Sequence, residues 1–541
     1  MTLVSSTRHG AIAAGHPLTV AAGAQILEQG GNAVDAAVAA AFASFVAEYT
    51  VSATGGAGFA LIYDARRGDG TLYDFFSAAP GLGRKEIPAP EEIDFRKITI
   101  DYGDSQQDFY VGRGSVGVPG NIAGLCMLSR DKGRLPLTVL LEPAIQLARE
   151  GVQVTEMQYF ISLMLEPIFL STPGSAAIFG RSNGAGGLLE PGELLRMCDL
   201  ADSLEALGKE GPRLFYEGEI ARALWQDQAE NGGLITAKDM SRYRVRRRLP
   251  LVTHFRNRTV LTNPPPSRGG LLISFSLNLL KDFHFEQKHH GTICHLELIA
   301  EVMRVTNLAR GEMEQLNLLP RQQIGRMLGP ATVNRWAETL RDMLRLPIPE
   351  RPTDQVINAR SSTTQISVID QDGLAVSMTT SGGEGAGYIV PGTGIVPNNM
   401  MGEEDLHPQG FHQMMAGRRI PSMMSPSVVL EDGWPVLAIG SGGANRIRSA
   451  ILQVLMNVFE FDLDLEQAVE APRVHWEEGI LQVEGGNDPV VVAELAASGY
   501  NVNIWASKHM FFGGTHVVAR CPDGQYLGVG DSRRDGCAQV V

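Results

Sequence analysis

Apolar residues recur at helical spacing over residues 18–47, near the start of the chain. The segment Gln29-Gly30-Gly31-Asn32 interrupts this pattern, which predicts one helix that ends at glycine and a second that begins after it. Residues 33–47 are too short to span a bilayer and include Asp35, so they are interpreted as a core helix. A strand is predicted for residues 59–63, after a glycine-rich turn.

The middle of the chain and its last third differ in the secondary structure that their sequence patterns predict. Residues 135–343 are mostly helical in pattern, with their strongest break at residues 264–270. Residues 347–362 are polar and contain proline, which predicts an exposed linker or loop. From Thr363 onward, short runs typical of β-strands alternate with Asp-Gly turns.

Two of these runs predict a β-hairpin directly after the linker. Side chains alternate along residues 364–369 and again along 374–379, and Asp372-Gly373 lies in the intervening turn. Thr363 therefore stands where a flexible segment meets a core strand. An N-terminal nucleophile needs this position, since the preceding bond must be accessible and the hydroxyl held rigidly. The local pattern alone favours the alternative, that residues 361–364 are only the polar start of a strand.

Composition narrows the class of protein. The chain has 541 residues with 44% hydrophobic residues, which predicts a globular fold of three or four ordinary domains or one large layered unit. Its formal net charge of −14, without a long basic run, argues against a nucleic-acid partner. Residues 1–10 are polar and lack the pattern of a secretory signal, so we expect a cytoplasmic protein that does not bind a membrane. The five cysteines are widely spaced and predict neither a disulfide framework nor a zinc site.

Ten separated motifs are similar, in order, to those of the γ-glutamyltranspeptidase family of N-terminal nucleophile hydrolases. They span residues 30–37, 54–59, 117–120, 231–236, 264–270, 363–368, 391–399, 421–426, 440–443 and 531–536. The sequence is thus identified as a divergent member of that family. The resemblance implies an α+β, four-layer αββα sandwich, formed by two chains after a precursor cuts itself between Ser362 and Thr363.

The resemblance also implies roles for individual residues. The products would be a large subunit, 1–362, and a small one, 363–541, that remain associated. Thr363 would be the nucleophile, and its freed α-amine, with a reference pKa of about 7.7–8.0, would serve as general base without metal or cofactor. The N–H groups of Gly443 and Ala444 would form the oxyanion hole. Thr379 and Ser381 match positions that support the nucleophile in the family.

Substrate-binding positions depart from the family pattern. Phe76 replaces an arginine that binds the γ-glutamyl carboxylate, and a phenyl ring cannot form its bidentate contact. The family's serine pair becomes Ser422-Met423, its asparagine becomes Gly383 and its glutamine becomes Met400, while Glu403 retains an acid. Arg446 or Arg448 could supply a replacement contact to a carboxylate. The alternative is that both arginines form surface or inter-subunit salt bridges.

These departures predict an autoprocessing threonine amidohydrolase for a small-molecule amide, in which hydrolysis dominates over transfer. Its substrate would be a small carboxylated amide similar to oxamate, or an acyl amide with an apolar portion. One alternative is a γ-glutamyl hydrolase or transpeptidase that acts on glutathione-type substrates. Another is a catalytically silent scaffold of the same fold. Further association into a homo-oligomer is also compatible with the sequence.

Overall fold

The predicted hairpin lies at the centre of a large antiparallel sheet. The computed structural model describes residues 9–86, 88–101, 106–181, 186–316, 318–353 and 362–541. The hairpin strands Thr364–Asp370 and Leu374–Ser381 pair along their length, and the Asp370 carboxylate accepts hydrogen bonds from the N–H groups of Asp372 and Leu374 in the turn. The prediction of this hairpin is confirmed.

The described strands form two large sheets in which neighbouring strands are antiparallel. In spatial order, the first contains Cys537–Val540, Gly10–Ala14, Thr364–Asp370, Leu374–Ser381, Ala57–Asp64, Asp69–Phe75 and Arg246–Arg248. The second contains Tyr526–Val529, Gly514–Arg520, Trp434–Gly442, Ser427–Glu431, Arg258–Thr262 and Leu251–Phe255. Smaller sheets contain Val474–Glu477, Ile480–Val483 and Val502–Ile504; Arg96–Asp101 and Gln106–Val111; and Val152–Gln153 and Leu194–Leu195.

Helices cover the outer faces of both large sheets. In the described ranges the α-helices are Pro17–Glu28, Ala33–Ala47, Asn121–Lys132, Leu137–Glu150, Glu156–Met164, Glu166–Phe169, Pro173–Phe179, Cys198–Glu210, Arg213–Tyr216, Glu219–Glu230, Ala237–Arg242, Gly269–Leu279, Ile293–Glu314, Pro320–Leu328, Pro330–Met343, Arg446–Phe459, Leu465–Glu470 and Pro489–Ala497. None of these described helices has the length and apolar character needed to cross a membrane.

The two large sheets and the helices outside them form four packed layers. The two sheets pack on each other through the central hairpin strands and the strand Trp434–Gly442. Helices Pro17–Glu28 and Ala33–Ala47 cover the first sheet, and Gly269–Leu279 and Arg446–Phe459 cover the second. Successive side chains of a strand point to opposite faces, so one strand contributes to both cores. The predicted αββα sandwich is confirmed.

Local predictions are confirmed where the pattern is strong. The first two helices end and begin around Gly30 as expected, and the Asn32 side chain caps the second by accepting from the N–H groups of Val34 and Asp35. Asp35 is fully buried. Its carboxylate accepts from the N–H groups of Asn32 and Arg134, which explains an acid in an otherwise apolar helix.

Two expectations need correction. The mostly helical pattern of residues 135–343 missed the strands Leu251–Phe255 and Arg258–Thr262, which belong to the second sheet. The exposed linker expected at 347–362 is only partly confirmed, because most residues of 347–353 are exposed whereas Ile348, Arg351 and Ser362 are buried. Arg351 forms ion pairs of 2.9 Å with Glu297 and Glu301. Residues 354–361 of that segment lie outside the described residues.

Candidate active site

Thr363 lies at the start of a central strand of the first sheet and contacts the second sheet. It directly precedes Thr364–Asp370 and is 3% exposed. Its carbonyl oxygen accepts a hydrogen bond of 3.3 Å from Arg534 Nη1. A Cβ atom at Gly442 would lie 2.1 Å from this oxygen, so glycine is required for the opposing strand to come so close. The Arg534 side chain and the Gly442 backbone therefore both lie against the carbonyl oxygen of Thr363.

Buried carboxyl groups hold the residues on either side of Thr363. Glu384 Oε1 accepts from the Ser362 N–H at 2.8 Å, and its Oε2 accepts from Ser362 Oγ at 3.0 Å. Glu48 accepts from the hydroxyls of Thr364 and Thr19. Burial raises the pKa of each of these two glutamates to about 7, although the hydrogen bonds they accept oppose the shift.

The peptide bond that precedes Thr363 is polarised by a fixed hydroxyl. Ser381 Oγ donates to the carbonyl oxygen of Ser362. The same Oγ accepts from the Gly383 N–H at 2.8 Å, which directs the hydroxyl hydrogen towards the carbonyl. A donor at this oxygen stabilises the negative charge that develops when a nucleophile attacks the carbonyl carbon. The arrangement suits cleavage between Ser362 and Thr363.

An open cleft of about 310 Å³ lies beside Thr363. Eight residues that the sequence analysis singles out line it together: Phe76, Thr363, Ser381, Met400, Glu403, Ser422, Met423 and Ala444. The side chains of Met400, Met424, Leu406 and Ile447 make the lining largely apolar, and Asp405 adds a second acid. Among the described residues that line this cleft, none is basic. The cleft therefore favours a substrate with an apolar portion.

The backbone at Gly443 and Ala444 has positive φ values and lies just before a helix. Gly443 has φ +119° and Ala444 has φ +48°, and the helix Arg446–Phe459 begins immediately afterwards. Their carbonyls accept from Arg446 and Ile447, while their own N–H groups precede the first turn of the helix. N–H groups at a helix N-terminus carry partial positive charge. Both residues thus lie next to the positively polarised start of this helix.

Other expected site residues lie away from the cleft. Thr379 Oγ1 donates to Gln365 Oε1 at 2.6 Å, so its contact is with a buried inter-sheet glutamine. The Arg446 guanidinium lies 4.7 Å from the centre of the Phe511 ring, and its Nε donates to the Phe511 carbonyl. Arg446 and Arg448 are both buried. Although burial acts in the opposite direction, the hydrogen bond and charge of His475, followed by the charges of Arg446 and Arg448, hold the pKa of Glu477 below its usual value. The two arginines are not at the surface.

Two substitutions from the family pattern have structural explanations. The Phe76 ring is buried and stacks on Phe59, with centroids 5.2 Å apart and planes inclined by 11°. Gly383 has φ +63°, and a Cβ atom there would lie 2.1 Å from Asn399 Oδ1 and 2.5 Å from Glu403 Oε1. Polar side chains from another segment thus occupy the space that a residue-383 side chain would need.

Sequence reasoning missed Glu384, Glu48 and Asp405. Glu384 follows two glycines at the end of a predicted strand, and an acid in such a turn is a usable signal. Glu48 ends the first long apolar helix, where its position alone gives no indication of a partner more than 300 residues away. Asp405 lies in an acidic run after Glu403 and has no distinguishing pattern.

The architecture and motif order agree with one family. The model of the gamma-glutamyltranspeptidase family matches residues 19–541. The chain belongs to the γ-glutamyltranspeptidase family. Its resemblance to that family is confirmed, and the protein is an enzyme of the amide-bond hydrolase and transferase class.

Similar members of the γ-glutamyltranspeptidase family include an acylase and a glutathione hydrolase. The acylase ACY 1 proenzyme of Pseudomonas sp. (strain SE83) is 33% identical, over 99% of this chain and 94% of the relative. The glutathione hydrolase proenzyme of Escherichia coli (strain K12) is 30% identical, over 97% of this chain and 90% of the relative. The crystal structure of cephalosporin acylase from Bacillus halodurans has a TM-score of 0.81 and 25% identity, and the match covers 99% and 96% of the two chains.

Proposed function

We propose that this family member is a precursor that cuts itself before Thr363 and then hydrolyses acyl amides through that threonine. The observation that carries the proposal is the hydroxyl of Ser381, which donates to the carbonyl of the bond to be cut. Thr363 Oγ1 attacks the Ser362 carbonyl carbon, and the C–N bond breaks as its nitrogen gains a proton. Water then hydrolyses the resulting ester, leaving a Ser362 carboxylate and a Thr363 with free hydroxyl and α-amine.

The sheet pairings support continued association of fragments 1–362 and 363–541 after cleavage. The strand Gly10–Ala14 of the first fragment pairs with Thr364–Asp370 of the second. Ala57–Asp64 pairs with Leu374–Ser381, and Arg258–Thr262 pairs with Ser427–Glu431. Both fragments therefore contribute strands to both sheets, and separating them would expose the shared cores to water.

Turnover in the mature enzyme would use the new α-amine as the general base. The amine takes the proton from the Thr363 hydroxyl, and the oxygen attacks the substrate carbonyl. The N–H groups of Gly443 and Ala444 stabilise the tetrahedral intermediate. The amine product leaves with a proton, and water hydrolyses the threonyl ester to release the acid.

The lining of the cleft supports an acyl amide with an apolar portion over oxamate. Met400, Met423, Met424 and Leu406 offer apolar contacts that oxamate, a small charged molecule, cannot use. No basic side chain appears among the described lining residues to pair with its carboxylate. The similarity to the Pseudomonas acylase and to the Bacillus halodurans structure supports the same substrate class.

A γ-glutamyl amide is the second candidate substrate. Glu403 and Asp405 both line the cleft, and their carboxyl groups could bind the α-ammonium group of such a substrate. Similarity to the Escherichia coli glutathione hydrolase also supports it. The absence of an arginine at position 76 weighs against it.

The decisive experiment follows the purified full chain by denaturing gel and intact mass. We expect two fragments whose masses place the cut before Thr363. The mature protein is then tested with glutaryl and longer acyl p-nitroanilides, γ-glutamyl p-nitroanilide and oxamate. Faster release from the acyl anilides supports the acylase proposal, and faster release from the γ-glutamyl compound supports the second candidate. A single uncut band of 58.4 kDa after long incubation would favour the scaffold alternative.

The Ser381→Ala variant should cut itself more slowly, by a factor on the order of 10². Its methyl group cannot donate to the Ser362 carbonyl, so charge on that oxygen loses its donor. Cleavage is measured from the decay of the full-length band, with Ser381→Thr as the control that retains the hydroxyl. Wild-type kinetics in Ser381→Ala would show that this contact does not assist cleavage.

The Phe76→Arg variant should lose stability without gaining γ-glutamyl activity. A guanidinium here would replace a ring stacked on Phe59 and would lie near Arg419, whose guanidinium donates to the Phe76 carbonyl. Loss of a buried aromatic ring costs about 3–5 kcal/mol of unfolding free energy. Urea unfolding measures this loss, and Phe76→Leu should show a smaller one. Unchanged stability with new γ-glutamyl turnover would contradict the expectation.

A further inference from the structure

We propose that Glu384 is a positioning residue for self-cleavage, which holds Ser362 so that its carbonyl carbon faces the Thr363 hydroxyl. The proposal rests on the proposed function, because it assigns a role within the cutting step. Glu384 makes two hydrogen bonds to Ser362, of 2.8 Å to the N–H and 3.0 Å to Oγ. Together they fix both the backbone and the side chain of the residue whose carbonyl is attacked.

Glu384 is itself held rigidly. Its N–H donates to Asn399 Oδ1 at 2.9 Å, and the residue is 4% exposed. It follows Ser381 by three residues, and Ser381 donates to the Ser362 carbonyl. One short turn thus contacts the N–H, the hydroxyl and the carbonyl of Ser362. A carbonyl fixed in this way cannot rotate away from the neighbouring nucleophile, which is how orientation lowers a reaction barrier.

Cleavage after Ser362 would change the charge beside Glu384. When the bond after Ser362 breaks, this residue becomes the carboxylate end of the first fragment, and its new negative charge lies near the carboxyl group of Glu384. Where Glu384 is ionised, repulsion between these two carboxylates in a buried site favours departure of the Ser362 end. The same residue would therefore orient the bond before cleavage and disfavour its re-formation afterwards.

The test compares four full-length proteins: wild type, Glu384→Ala, Glu384→Gln and Ser362→Ala. Cleavage rates are measured by denaturing gel and intact mass. Loss of both bonds in Glu384→Ala should slow cleavage by about 10–100-fold. Glu384→Gln keeps an acceptor for the Ser362 N–H and gains an N–H₂ donor for its Oγ, so its rate should stay within about threefold of wild type. Ser362→Ala loses one bond and should be intermediate.

A double-variant cycle separates positioning from general destabilisation. If Glu384 acts through Ser362, the Ser362→Ala substitution should have little further effect in the Glu384→Ala background. Cleavage of Glu384→Ala at the wild-type rate would overturn the inference, as would Glu384→Gln being as slow as Glu384→Ala. If Glu384→Ala does not fold, a wild-type rate in Ser362→Ala together with a defective Glu384→Gln would overturn it. An uncut wild-type chain would instead overturn the proposed function.

Discussion

Purified Thr363→Ala protein is expected to remain a single chain of 58.4 kDa and to release no product from any acyl amide. In the proposed mechanism, the same hydroxyl attacks the Ser362 carbonyl in the precursor and the substrate carbonyl in the mature enzyme. Its removal therefore abolishes both steps. The fold should survive, because the substitution removes a hydroxyl and a methyl group at the start of a strand whose pairing to its neighbour begins at Thr364.

Two measurements decide this result. Intact mass after long incubation reports cleavage, and a thermal melt reports whether the protein is folded. The control is Thr363→Ser, which keeps a hydroxyl and should retain both activities at a reduced rate. Cleavage of folded Thr363→Ala at the same bond would mean that another group is the nucleophile. Turnover by an uncut chain would mean that the α-amine is not the base.

The parts of the fold that could be predicted are those determined by neighbouring residues. The central hairpin follows from alternation and an Asp-Gly turn, and the first two helices follow from apolar spacing and a cap at Asn32. The strands Leu251–Phe255 and Arg258–Thr262 pair with each other across a two-residue turn, and only the second also pairs with Ser427–Glu431, far along the chain. The alternation along residues 251–255 was a usable local signal for a strand, which the mostly helical interpretation of this region missed.

The residues of the candidate site likewise fall into those that sequence motifs predict and those that only tertiary contacts bring together. The family motifs identified Thr363, Ser381 and Ala444, which line one cleft. Glu384 and Glu48 could not be found in this way, because their contacts with Ser362 and Thr364 are created only by the tertiary fold. Arg446 follows the expected oxyanion turn closely in sequence, yet its side chain packs on Phe511. Proximity in sequence places a helix start but does not determine which way a long side chain extends.

The second large effect is expected from Arg533→Met, which should lower the free energy of unfolding by about 3–5 kcal/mol. Arg533 is fully buried and joins two acids, with contacts of 2.6 Å to Glu484 and 3.0 Å to Asp531. Methionine matches the length of the side chain but leaves two buried carboxylates with less compensating charge. The turn that contains Arg533 also positions Arg534, which donates to the Thr363 carbonyl. The loss should therefore extend to slower self-cleavage.

Urea unfolding at neutral pH measures this effect, and Arg149→Met is the matched control. Arg149 also joins two acids, Asp202 and Glu205, but at the surface, so its removal should cost less than about 1 kcal/mol.

Acid titration gives a second measurement of the role of Arg533. Although burial opposes it, Arg473 and Arg533 hold the pKa of Asp531 well below its usual value. Such a group stabilises the fold above its unfolded-state pKa, and this contribution disappears as pH falls through the folded-state pKa. Removing Arg533 raises the folded-state pKa of Asp531, so acid unfolding should begin at a higher pH in Arg533→Met than in the wild type. Equal losses of unfolding free energy in Arg533→Met and Arg149→Met would contradict the assignment of a buried charge network.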